Sequence, residues 1–255
     1  LILPAAFFLG VFLNELMALT PYALVATFVV LLPLLGQKQG LRHVIQAGRE
    51  LGQPRGDADR DPHQRVRAAG ANAVLNFAVQ LVPRTFWWCL GGFALLLPQI
   101  VLATFIEVAE KRRSGHPESP FFAAIFLLNE ITVAPLAIFA AAFMALAHFF
   151  LPGTNLAVFK AFHPGATYGP VSRFFPLNVI AVGLGLSLEA EIGEKTGSKR
   201  ASDREIHWIG PENGRAQLRP ADLKQIWLIT LIAYALYLVL AAMTFTLLLL
   251  RIGAD

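Results

Sequence analysis

Four long apolar runs, each broken by only a few polar residues, alternate along the chain with polar stretches. They are Leu1–Leu35, Ala73–Ile106, Pro120–Leu151 and Ile226–Leu250. The last, IWLITLIAYALYLVLAAMTFTLLLL, is 25 residues without a charge. A bilayer's hydrocarbon core takes ~20 helical residues to cross, so this run spans it with some tilt. A soluble domain has no core able to hide four such segments. The pattern predicts an all-α, polytopic integral membrane protein with about 4–6 membrane helices or re-entrant segments.

The interruptions set the organisation. Asn14, Glu15 and Pro21 break the first run, which is one long kinked helix or a span followed by a short second segment. Pro83, Arg84, Trp87, Trp88, Gly91, Gly92 and Pro98 break the second, which has room for a span plus a re-entrant piece or a tight hairpin. Asn129 and Glu130 lie inside the third. PLNVIAVGLGLSL (176–188) is too short to span alone and reads as a packed or re-entrant helix. Pro220 suits a first helical position, and Asp222 then lies favourably for the dipole of the final helix.

Polar loops fall at about 37–70, 107–119, 152–175 and 189–223. The first holds seven Lys/Arg and four Asp/Glu. Leu41, Val44, Ile45 and Leu51 space a short amphipathic surface helix there, and GQPRGDADRDP follows as a turn-rich link. Leu156, Val158, Phe159 and Phe162 are spaced to lie flat at an interface. The loops at 37–70 and 107–119 are both basic. If both face the cytoplasm, the 73–106 run crosses twice or not at all.

Composition agrees with a membrane setting: 56% hydrophobic and 15% charged, against ~25% charged in soluble domains. The +4 charge and pI near 9.5 belong to Lys and Arg flanking spans and facing anionic headgroups rather than to a nucleic-acid partner. Cys89 is alone, so no intrachain disulfide forms. The six histidines, His43, His63, His116, His148, His163 and His207, include no pair at helical ligand spacing, so no metal site is expected.

Glu15 and Glu130 carry the sharpest chemistry. An ionised carboxylate at the bilayer centre costs roughly 2.5–3.5 kcal/mol on insertion scales. Such a residue lines a substrate or proton site, pairs with a base such as Arg84, or lies nearer an interface than the pattern suggests. Arg84 beside Trp87 and Trp88 suits a cation–π contact or snorkelling. His207, Trp208 and Arg215 form a polar constellation before the last helix.

Several segments resemble the CobD/CbiB membrane family, the adenosylcobinamide-phosphate synthases. LLGQKQGLRHVIQAGRELGQPRGDADR is similar to that family's short basic helix followed by Gly-Asp and Ala-Arg. ANAVLNFAVQLVPRTFWWCLGG resembles its stretch ending Phe-Trp-x-x-Leu-Gly-Gly. FFPLNVIAVGLGLSLEAEIG and HWIGPENGRAQLRPADLKQIWLI resemble its Gly-Trp-Pro segment and its motif leading into the last span. The resemblance runs from about residue 34 to the end and implies one CobD/CbiB-like membrane domain over 1–255. Asn76, Phe77, Phe86, Trp87, Gly91 and Gly92 match framework positions. The family's two Glu positions fall on Ala71 and Leu75, and its Asp falls on Val79. Its Asp-Asp pair falls on Leu128-Asn129, or one residue later on Asn129-Glu130.

The framework is kept while most charged site residues are replaced by apolar ones. The resemblance therefore implies a relative without synthase activity: an accessory, scaffold or signalling protein in a bacterial inner membrane, with other membrane subunits as partners. The AmpE-type proteins are a precedent. The alternative it implies is a divergent synthase using ATP and a divalent metal. For that enzyme the catalytic candidates are Glu15, Asn76, Asn129 and Glu130, and the substrate-binding candidates are His207, Trp208 and Arg215.

Overall fold

A computed structural model describes residues 2–19, 62–112, 120–151, 156–162, 170–190, 207–211 and 213–252. The expected surface helix over Leu41–Leu51 and the kink at Pro21 lie outside the described residues. The described residues are predominantly helical, as the long apolar runs predict: α1 (Ile2–Ala18), α2 (Pro62–Leu75), α3 (Val82–Gly91), α4 (Phe93–Arg112), α5 (Pro120–Ala147), α6 (Val171–Leu184) and α7 (Pro220–Ile252). Two helical stretches, Pro120–Phe150 and Ala221–Thr244, are long and apolar enough to cross a membrane. The strands are a departure from an all-α chain: β1 (Leu188–Ala190) pairs antiparallel with β2 (His207–Ile209), Leu188 opposite Ile209. Three-residue strands are too short for their alternation to show in sequence.

The core is assembled around the second half of α5. Val133, Ala137, Ala140, Ala141, Met144 and Ala145 are fully or almost fully buried there. The alanines let neighbouring backbones approach closely. Val74, Phe77 and Val82 from the α2–α3 segment, Val179 and Ile180 from α6, and Ile226 and Ile229 from α7 complete the same cluster. Outside it, large apolar side chains stay exposed: Phe8 and Phe12 on α1, Phe121, Leu127 and Ile131 on α5, and Leu231, Val239 and Met243 on α7. Those on α5 and α7 lie on the two helices long and apolar enough to cross a membrane, and this surface is compatible with a membrane setting.

A π-helical turn, Asn76–Leu81, joins α2 to α3. Its cause lies one residue downstream of Val82. Pro83 has no N–H to donate, and its ring crowds the carbonyl four residues back, so the backbone widens just before it. Thr85 follows: its hydroxyl back-bonds within the helix, 2.9 Å from the Leu81 carbonyl, and lies 2.7 Å from the Tyr237 hydroxyl on α7.

At the other end of α3, Gly92 (φ 60°, ψ −142°) turns the chain into α4. Asn14 of α1 brackets the turn. Its Nδ2 donates to the Gly91 carbonyl (3.2 Å), and its Oδ1 accepts from the Phe93 N–H (2.9 Å). The polar break in the first run is thus the clamp on the break in the second. Asn14→Ala removes both bonds and is expected to cost ~2 kcal/mol. Its measurement is the denaturation midpoint of the reconstituted protein beside the exposed control Glu15→Gln.

Candidate functional site

α5 and α6 lie side by side and run in the same direction. Glu130 meets Ser172 near the start of α6, and His148 packs on Gly183 near its end. Parallel neighbours require the chain to double back between them. The 3-10 segment Leu156–Phe162 makes part of that return along α6: Asn178 Nδ2 donates to the Ala161 carbonyl (3.0 Å), and Phe162 stacks on Phe175. α6 has 14 residues, so it is only ~21 Å long. The short 176–188 run is therefore a packed half-helix. It ends on Gly185, whose left-handed conformation (φ 62°, ψ 37°) closes the helix while the Leu186 N–H reaches the Ala181 carbonyl.

The half-helix starts at mid-length of α5, and there Glu130 is waiting. One carboxylate oxygen accepts the Ser172 backbone N–H and the other accepts its hydroxyl, each at 2.7 Å. The first N–H groups of a helix have no partner within it and carry its positive dipole end, so a carboxylate is the natural complement. Pro170, at the N-cap, makes no side-chain cap bond. Glu130 supplies the missing cap from another helix. Helix N-termini are a recurrent anion site; here the anion belongs to the protein.

A second polar locus lies where β2 and the loop before α7 meet the end of α6. Arg215 forms a parallel bridge with Leu186: its N–H donates to the Gly185 carbonyl and its carbonyl accepts the Ser187 N–H. Its guanidinium pairs with Asp222 at 2.5 Å. The other oxygen of Asp222 accepts the Arg219 N–H at 2.6 Å, capping α7. From α2, Arg67 donates to the Ala216 carbonyl (2.9 Å) and lies 5.3 Å from the centre of the exposed Trp208 ring. Residues 174–190 and the segment from 207 into α7 thus pack on one another through β1, β2 and Arg215. Asp222→Ala is expected to cost ~1 kcal/mol, mostly from the lost cap, since an ion pair to a half-exposed Arg215 adds little. A thermal melt checks it.

The sequence candidates therefore separate. Glu15 is exposed on α1. Asn76 opens the π turn and is half-buried. Asn129 is buried, with its Oδ1 lacking a hydrogen-bond partner. Glu130 is bonded to Ser172, not to Arg84, whose charge interacts with Glu107 instead. Trp208 and Arg215 do come together at the α7 end; of His207 only the backbone, in β2, is described. Among the described residues no three His, Cys, Asp or Glu side chains gather as a metal-binding group would. Ser172 and Arg67 were missed as partners. A Ser two residues after a Pro at a helix start is a visible signal for the first; nothing local marks the second. Compared with known proteins, the chain matches no family model, no curated protein and no solved structure.

Proposed function

We propose that this chain is an integral membrane protein of four to six membrane segments that works as a non-catalytic scaffold or accessory subunit on a CobD/CbiB-like framework. The observation that carries the proposal is the use made of Glu130. The best-placed acidic candidate spends both carboxylate oxygens on fixing the start of α6. A carboxylate with both oxygens tied to one helix start holds structure, which supports a non-catalytic reading. Glu15, the other acid of the apolar runs, lies exposed on α1. The extended apolar exterior on α1, α5 and α7 supports lipid and neighbouring membrane subunits as the surroundings. A bacterial inner membrane is the proposed location, by the family resemblance.

The test is purification from the native membrane in mild detergent, with mass spectrometry of what accompanies the chain. A stoichiometric membrane-protein partner and no corrinoid or nucleotide is the expected result. A solitary chain that carries a corrinoid, or that consumes ATP when given adenosylcobyric acid, overturns the proposal in favour of a divergent synthase.

A further inference from the structure

The outer face of α7 changes character within one turn. Lys224, Leu228, Leu231 and Leu238 are spaced to share one face of a 3.6-residue helix, and all four are exposed. The stripe opens on an ammonium group and is apolar from the next turn onward. A helix shows that order where it passes from lipid headgroups into acyl chains. The stretch Ala221–Thr244 is long and apolar enough to cross a bilayer. When it crosses, the first turn of α7 lies at headgroup level.

Direct contacts tie three further segments to that turn. Asp222 accepts from the Arg215 guanidinium with one oxygen and from the Arg219 N–H with the other. Arg67 Nη1 donates to the Ala216 carbonyl (2.9 Å), and its guanidinium carbon lies 5.3 Å from the centre of the Trp208 ring. α2 is seated on α7 at the same height: a Cβ at Gly70, three residues on from Arg67, would meet Ile226 Cδ1 at 3.0 Å. Arg67, Trp208, Arg215, Arg219 and Lys224 therefore occupy one end of the fold. All but Arg67 are exposed, Trp208 at 45%. The described side chains of this cluster include one acid, Asp222, which is buried and already engaged by Arg215. An exposed indole beside exposed cations is the composition of a protein surface at a membrane interface.

We propose that this end of the protein is a docking surface for anionic lipid headgroups, with Arg219 and Lys224 attracting the phosphates and Trp208 lying beside them at the glycerol level. The charge selects the lipid. A phosphodiester with no cation of its own gains the full attraction of Arg219 and Lys224, whereas a zwitterionic headgroup brings a positive charge that offsets it. The bonds through Asp222 and Arg67 hold the β1–β2 ribbon and α2 at the same level, so the surface is wider than the end of one helix. The proposal rests on the reading that α7 crosses a membrane, and it holds for a scaffold and for an enzyme alike.

The test reconstitutes the full chain into vesicles of phosphatidylcholine and phosphatidylglycerol, with a nitroxide near the glycerol end of one acyl chain in either lipid. Trp208 emission is the difference between the parent and Trp208→Phe, which keeps a ring over Arg67. Labelled phosphatidylglycerol is expected to quench Trp208 roughly fivefold more effectively than labelled phosphatidylcholine at equal mole fraction, the factor for about one cation at an anionic surface. Arg219→Gln combined with Lys224→Gln is expected to erase that preference and to leave the melting temperature within ~2 °C of the parent, since both side chains are exposed. High salt is expected to weaken the preference in the parent. Equal quenching by the two lipids overturns the proposal, and so does quenching by neither, which would place Trp208 in water or under another protein. Alkaline carbonate extraction of the same vesicles separates that failure from failure of the underlying reading. A chain that stays in the bilayer has lost this surface alone; a chain released in soluble form does not span the membrane at all. If Trp208→Phe does not fold, the melting temperature of the parent in the two lipids decides: higher in phosphatidylglycerol supports the surface, and equal values overturn it.

Discussion

Glu130→Ala is expected to lose ~3 kcal/mol or more and to release α6 from its place beside α5. Hydrogen bonds to a charged group contribute ~1.5–3 kcal/mol each, and this substitution removes two. It also strips the counter-charge from a helix N-terminus and leaves the Ser172 N–H without its acceptor. Glu130→Gln keeps one acceptor oxygen and is expected to show about half the loss. Ser172→Ala, which retains the backbone N–H bond, is expected to be milder still. The discriminating measurement is a melt of Glu130→Ala with formate at increasing concentration, read against chloride at equal ionic strength. A helix N-terminus deprived of its carboxylate is an anion site, so formate is expected to restore stability to Glu130→Ala and to do nothing for the parent. If Glu130→Ala melts like the parent, the capping role is wrong and Glu130 returns as a candidate for chemistry.

The second large effect is expected at Gly10. A Cβ built there lies 2.2 Å from the Phe93 carbonyl oxygen and 2.6 Å from the Ala94 Cα. Both obstacles are backbone, so no rotamer change relieves the clash. α1 packs chiefly on α4, and the Asn14 clamp lies one turn beyond Gly10. Gly10→Val is therefore expected to detach α1 as a unit rather than to strain it. In hydrogen–deuterium exchange the amides around Gly92 are expected to lose protection as the Asn14 bonds go, while those of α5 and α6 keep theirs. Uniform loss of protection would make α1 part of the cooperative core; unchanged protection would show that the close approach is absent. Gly183 makes the corresponding contact for α6, where a Cβ would fall 2.1 Å from His148 Nε2. That ring is almost fully buried and its Nδ1 is held by the Met144 carbonyl at 2.7 Å, so it has little room to yield and Gly183→Ala is expected to be costly as well.

The legible and the illegible parts of this chain differ in range. The helical runs were legible because the length of an apolar run and its lack of charge are local properties. α6 was legible as a short packed helix because a mostly apolar run of 13 residues with two glycines cannot span a bilayer. Pro220 and Asp222 were legible as the start of the last helix because capping uses neighbours. Asn14 and Glu130 were legible as anomalies and illegible as contacts. Their partners are Gly91 and Phe93 in one case and Ser172 in the other, 77 to 79 and 42 residues away. A polar residue in an apolar run announces that it needs a partner and says nothing of which one. The β1–β2 ribbon and the Arg67–Trp208 contact were missed for the same reason: neither leaves a period, and each joins segments far apart in the chain.

Because synthesis runs from the N-terminus, the pairing of α5 with α6 has an order in time. A helix of 14 residues is too short to hold a place across a bilayer by itself, and its first N–H groups need an acceptor inside the fold. That acceptor is carried by α5, which leaves the ribosome first. The earlier helix is thus a receptor waiting for the later one, and Glu130 is its recognition element. Synthesised as two fragments cut between residues 152 and 155, the halves should find one another through that contact, and Glu130→Ala in the earlier half should weaken their association.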